Sequence, residues 1–242
     1  METIEIGVWK KPSNAREEAF RTLRTNIQFC GDDIKVIMVS SFAPSEGKTN
    51  VVMSLAHSMA ETGKKVLLLD TDIRKSVMAG RYRIRSVKGG QIYGLSHYLS
   101  GQKGLNEVIC TVKDNEKLDM ILAGPSVPNP TEILDKHYFP ELIEYARKHY
   151  DVIIVDTAPI GMVIDAAVVA KHCDGAILVV AQSDAKRRQL IEAKEQLAAS
   201  GVRILGAVLN KVNISKGSYY GKYYGRYGAY GNYGNLEANE EE

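Results

Sequence analysis

Residues Ser41 to Thr49 read S-F-A-P-S-E-G-K-T, an order of residue types suited to gripping a polyphosphate. In such a loop, backbone N–H groups and the start of the following helix point at phosphate oxygens. Gly47 permits close approach of the backbone. Lys48 supplies a point charge for the β- and γ-phosphates, and the Thr49 hydroxyl is a magnesium ligand. Pro44, Ser45, Glu46 and Asn50 complete the expected contact set. Phe42 stands where the usual pattern opens with glycine. Gly-Lys-Thr is also a common tripeptide, so a turn that merely contains it is the alternative.

Three carboxylates extend this chemistry. The run V-L-L-L-D-T-D-I-R brings Asp70, Asp72 and Arg74 out of an apolar segment, and Arg74 is expected to bind ATP by stabilising charge on the transferred phosphoryl group. In extended chain Asp70 and Asp72 share a face. Beside a metal–phosphate group, one carboxylate can hold the metal or its waters and the other can accept a hydroxyl proton. Alone, the pair would read as solvated turn residues. In D-V-I-I-V-D-T-A-P, Asp156 follows four apolar residues, the position of a magnesium-contacting acid. Asp151 starts that segment and is expected at its opposite end, in a structural role.

These side chains need a scaffold. The segments Lys35–Ser40, Lys65–Asp70, Leu118–Leu122, Asp151–Asp156, Gly175–Ala181 and Arg203–Leu209 read as short apolar strands. Helical patterns at Thr49–Glu61, Tyr138–His149 and Lys186–Ser200 separate several of them. The alternation predicts an α/β fold with a mostly parallel sheet covered by helices on both faces. Ligands in such sheets bind beyond the carboxyl ends of the strands, where Asp70 and Asp156 are expected. Residues 1–12 read as an irregular arm, and Ser13 or Asn14 caps a helix running to about Phe29.

The chain has 242 residues, 45% hydrophobic and 25% charged, enough for one sizeable α/β core. A net charge of +2 gives no reason to expect nucleic acid as a partner. Cys30, Cys110 and Cys173 are far apart without metal-ligand spacing and read as free thiols in a reducing compartment. No signal peptide is visible, and the apolar runs are strand-sized, short of the roughly 20 residues a spanning helix needs. A soluble, cytoplasmic protein is expected, with any membrane association made through a partner.

Two stretches break the rhythm. Arg81, Arg83, Arg85 and Lys88 lead into Gly89–Gly90 and read as a surface loop. Either they are simply solvated or they dock an acidic partner. Beyond Val212 the chain becomes nearly all Tyr and Gly, with Tyr219, Tyr220, Tyr223, Tyr224, Tyr227, Tyr230 and Tyr233, and ends in Glu240–Glu242. With no aliphatic core to offset the ordering cost of glycine, it is expected to be a disordered tail.

Taken together, the phosphate loop, Asp70–Arg74, Val152–Pro159, Pro128–Glu132 and the tyrosine-rich tail resemble the bacterial tyrosine kinases that regulate capsule and exopolysaccharide synthesis. The resemblance spans Ser13 to about Tyr233. It implies a P-loop NTPase domain over residues 34–212, preceded by an arm and oligomerisation helix (1–33) and followed by an autophosphorylation tail (213–242). It implies that Lys48 and Thr49 bind ATP and magnesium. Asp70 then orients or deprotonates an acceptor tyrosine, and Asp72 and Asp156 serve the metal. Asn210 corresponds to an adenine contact. Glu18, Arg21 and Arg24, an E-x-x-R-x-x-R pattern on one helix face, correspond to the subunit contact of a ring-shaped homo-oligomer. Within one chain they would be only a local ion-pair set.

The implied activity is ATP-dependent phosphorylation of the tail tyrosines, in trans within the ring. The implied partners are a membrane activator that controls polysaccharide chain length, a phosphotyrosine phosphatase and further protein substrates. That arrangement places the chain at the inner face of the cell membrane. Two other readings fit part of the sequence. An ATPase switch of the chromosome-partitioning and division-site type shares the fold, but carries a signature lysine where this chain has Ala43. A non-catalytic, nucleotide-sensing regulator of a membrane polymerase would need the tyrosines only as targets of another kinase.

Overall fold

A strand of unbroken Val, Ile and Leu has no polar face and must be covered on both sides. In the computed structural model, which describes residues 1–9, 12–182 and 186–212, four such strands are buried at every position. They are β2 (Val36–Ser41), β3 (Val66–Asp70), β7 (Val152–Asp156) and β8 (Gly175–Ala181). Five others join them: β1 (Glu2–Ile6), β4 (Ile84–Ser86), β5 (Cys110–Val112), β6 (Asn115–Ile121) and β9 (Arg203–Asn210). The order across the sheet is β4-β1-β5-β6-β3-β7-β2-β8-β9. Its pairings are parallel except β1 with β4 and β5 with β6.

Side chains alternate between two cores. Ile37, Val39 and Leu68 pack with α1 (Asn14–Gln28), α2 (Lys48–Ala60) and α3 (Met78–Tyr82) on one face. Val36, Met38 and Leu67 face the other core. That core is closed by α4 (Leu95–Leu99), α5 (Leu105–Val108), α6 (Pro130–Leu134), α7 (Tyr138–His149), α8 (Asp165–Ala170) and α9 (Arg187–Ala199). The helix expected from Ser13 is found, with the Ser13 carbonyl accepting the first N–H groups of α1.

Two expectations are corrected. The start of the chain is no irregular arm: β1 lies between β4 and β5, with Ile4 fully buried. The basic stretch is no loop either, since it contains the end of α3 and all of β4. Ile84 turns into the core while Arg81, Arg83, Arg85 and Lys88 stay exposed. β1 (E-T-I-E-I) and the three-residue β4 carry too few apolar residues to read as strands, and Ile4 and Ile84 find their cover in the core shared with α2 and α3. Asp151, expected at the far end of its strand, caps that end by accepting the Lys65 N–H at 2.7 Å. The tail, its expected disorder and Tyr219–Tyr233 lie outside the described residues. Among the described residues no helix is long and apolar enough to cross a membrane.

Candidate active site

The loop joining β2 to α2 is held from both sides. Glu46 turns its carboxylate inward, accepting N–H groups from Ala43 at 2.9 Å and Ala181 at 3.4 Å. From β9, the Asn210 side-chain amide donates to the Glu46 carbonyl at 2.8 Å. Gly47 precedes α2 at a φ of 91°, and a Cβ there would lie 2.1 Å from Asn210 Nδ2. Only glycine fits both the backbone conformation and the space. Pro44 and Ser45 are exposed, with Ser45 also at positive φ. The first N–H groups of α2 have no partner within the helix and carry the positive end of its dipole.

Below the loop, Asp70 and Asp156 are register partners at the carboxyl ends of adjacent parallel strands β3 and β7. Both are almost fully buried, 1% and 2% exposed. The Lys48 ammonium pairs with Asp156, and the Thr49 hydroxyl is also hydrogen-bonded to that carboxylate. Asp70 accepts the Ser76 hydroxyl and, at 3.1 Å, the Asp72 N–H. Burial, followed by the neighbouring Asp156 charge, pushes Asp70 up to about 7 against the opposing pull of Ser76 and Lys48. Burial also raises Asp156, against the attraction of Lys48. A carboxyl poised near neutrality can exchange a proton with a substrate hydroxyl. Asp72 is half-buried at the rim and accepts the Lys75 N–H at 3.0 Å.

The donor set fits magnesium–ATP. The glycine cradle, the start of α2 and Lys48 match a triphosphate. Among the described residues no three carboxylate, imidazole or thiol groups form a closed metal cage. Magnesium commonly takes one or two carboxylates and completes its shell with substrate phosphates and water, a demand that Thr49, Asp72 and Asp156 would meet.

Other expected residues stand differently. Arg74 is committed to Asp165, donating from Nε at 2.6 Å and Nη2 at 3.1 Å, with Thr131 also bonded to that carboxylate. Asn50 is exposed on α2 and accepts the Tyr82 hydroxyl at 3.0 Å. On α1, Glu18 and Arg21 remain 54% and 60% exposed as a loose pair at 3.5 Å. Arg24 instead donates to the Ser58 carbonyl at 2.7 Å, docking α1 on α2. Asp165 and Ser76 were missed from sequence. Asp165 answers an arginine 91 positions away, and nothing local marks it.

Residues 34–212 match the family model described as an AAA domain. The chain is 44% identical to tyrosine-protein kinase CpsD of Streptococcus pneumoniae over 231 residues, covering 93% of this chain and all of the relative. The kinase domain of the Escherichia coli tyrosine kinase ETK superposes with a TM-score of 0.72 at 33% identity, over 81% of this chain and 77% of that one. The septum site-determining protein MinD of Pyrococcus horikoshii, complexed with Mg-ADP, superposes with a TM-score of 0.61 at 25% identity, over 75% and 72%.

Proposed function

The chain belongs to the bacterial tyrosine-protein kinases, and from that premise we propose that its principal substrate is the tyrosine cluster of its own C-terminal tail. The observation that carries this is the convergence of Lys48, Thr49, Asp70 and Asp156 at one end of the sheet, in a chain that also carries the Tyr219–Tyr233 cluster.

ATP lies along residues 41–49, with Asn210 fixing the loop from β9. For Lys48 to reach the β- and γ-phosphates, its ammonium leaves Asp156, which frees that carboxylate for the metal side. Magnesium, when bound, neutralises charge on the transferred phosphoryl group. Asp70, near neutrality and held by Ser76, steers or accepts the proton of the incoming tyrosine, whose free hydroxyl has a pKa near ~10. Arg74 is held by Asp165 and Thr131 and shapes the rim from there. The acceptor tyrosine comes from a neighbour in a ring whose contact includes the exposed Glu18 and Arg21.

Each phosphotyrosine adds about −1.5 to −2 charges. Accumulated charge on the tail releases it and loosens the ring, switching polysaccharide synthesis between states. A membrane activator recruits the chain to the inner face of the membrane, and a phosphatase resets it.

The test is mass spectrometry of the tail after incubation with magnesium and ATP, for the native chain and Lys48→Met, each with and without the activator's cytoplasmic segment. Phosphate on Tyr219–Tyr233 in the native chain only is the expected result. ATP hydrolysis without tail phosphate would favour a second reading, an ATPase switch. The likeness to MinD supports that alternative; Ala43, in the place of its signature lysine, speaks against it.

A further inference from the structure

A cleft of about 370 Å³ opens where the chain leaves β6, lined by residues 122–125, Ala79 of α3 and the segment 91–94. Its wall includes Ser76, whose hydroxyl bonds Asp70. The cleft therefore begins one side chain away from the carboxylate proposed to receive the acceptor proton. Ile84, Ile92, Leu122 and the Tyr93 ring make it apolar. Tyr93 stands edge-on to His97 at 5.2 Å. His97 accepts the Gly94 N–H on Nδ1 at 3.1 Å, so its neutral ring carries the proton on Nε2 as a donor. The segment bearing Tyr93 and His97 is seated by glycines. A Cβ on Gly94 would lie 2.4 Å from the Gly124 nitrogen, so the wall is built at backbone contact.

An apolar, aromatic-edged cleft with one or two donors is what a phenol ring fills, by stacking and a hydroxyl bond. Beside it, exposed Arg81, Arg83 and Arg85 flank Ile84, and none has an ion-pair partner among the described residues. The tail has a matching order of chemistry toward its end: tyrosines separated by Gly-Lys, Gly-Arg, Gly-Ala and Gly-Asn, the two basic residues Lys222 and Arg226 lying early, then Glu237 and Glu240–Glu242 after the last tyrosines. Glycine lets the backbone approach a wall closely. The described chain stops at Val212, and Tyr219 follows seven positions later. At roughly 3.4 Å per extended residue, tyrosines three apart stand about 10 Å from each other.

We propose that this cleft holds a second, non-reacting tyrosine of the Tyr219–Tyr233 segment of another copy while its neighbour in sequence reacts at Asp70. The basic rim draws in the acidic end. This rests on the tail being the substrate, and it explains why the acceptors come as a closely spaced cluster: each is read together with an aromatic neighbour.

The test uses the full chain and synthetic peptides covering 217–242. In one peptide only Tyr230 and Tyr233 are kept; in others the non-reacting one is Phe or Ala. A peptide with every tyrosine replaced by Phe is used for binding by fluorescence anisotropy, a readout that needs no chemistry. Ala79→Trp fills the cleft from α3. The Phe peptide should bind the native chain, and Ala79→Trp should weaken it about tenfold, the order expected for excluding one aromatic ring. For phosphate transfer, the Phe neighbour should give a KM a few-fold above that of Tyr, for the lost hydroxyl bond, and Ala a KM about tenfold above that of Phe, with kcat little changed. Equal binding by both proteins, equal KM for Phe and Ala, or no binding at all overturns the inference. Absence of phosphate transfer to any peptide while Ala79→Trp still weakens binding would instead sink the reading of the tail as substrate and leave the cleft as an aromatic-binding site.

Discussion

Lys48 and Asp156, 108 positions apart in sequence, form a buried ion pair under the phosphate loop. Removing one member of such a pair leaves an uncompensated charge in a low-dielectric site, which costs more than the pair itself contributes. Lys48→Met and Asp156→Asn should each lower stability, the lysine change by about 3 kcal/mol. The double variant should recover part of the loss, with a coupling on the order of 1–3 kcal/mol. Urea denaturation of the four proteins reads this directly. Strict additivity would mean that the two side chains are independent in solution.

Gly47 makes a separate prediction. Its φ of 91° and the 2.1 Å approach of Asn210 to any added Cβ leave no room for alanine. Gly47→Ala should displace Asn210, disturb the loop and weaken ATP binding at least tenfold, while Gly63→Ala, also at positive φ but in open space, should leave ATP binding intact. Calorimetric titration with ATP separates the two.

The α1 pattern divides into two jobs. Arg24→Ala removes the bond to Ser58 and should lower Tm in the isolated chain, by a loss of about 1–2 kcal/mol. Glu18 and Arg21 are more than half exposed and form only a loose pair with each other, so Glu18→Ala and Arg21→Ala should leave Tm within about 1 °C. If the ring forms through this face, those two changes reduce oligomer mass in sedimentation. Unchanged mass would remove them from the contact.

His57 sets a pH dependence. It stacks on Trp9 at 4.0 Å, its Nε2 has no hydrogen-bond partner among the described residues, and burial pushes its pKa down to about 4 from 6.5. The folded state therefore binds fewer protons than the unfolded chain between those values. The contribution of neutral His57 is fully present above about pH 6.5 and is lost as pH falls toward 4, on the order of 2–3 kcal/mol over the whole window. Thermal melts at pH 7 and pH 5 should show a larger drop in Tm for the native chain than for His57→Phe. Equal drops would place the acid sensitivity elsewhere.

The sequence by itself determined the centre of this protein. Four runs, apolar but for their carboxyl ends, read as interior parallel strands. Their order with the helices then put Lys48, Thr49, Asp70 and Asp156 at one edge. Those signals are local: a run of Val and Ile, a glycine before a helix, an acid where a strand ends. The tertiary structure decided what depends on a distant partner. β1 and β4 are strands because β1 pairs with both β4 and β5 and because Ile4 and Ile84 enter the core that α2 and α3 cover. Arg24 serves α2, and Arg74 serves Asp165, because bonds at 34 and 91 positions' separation claimed them. Apolar periodicity is written along the chain, whereas the partner of a charge is fixed only when folding brings both groups out of water together.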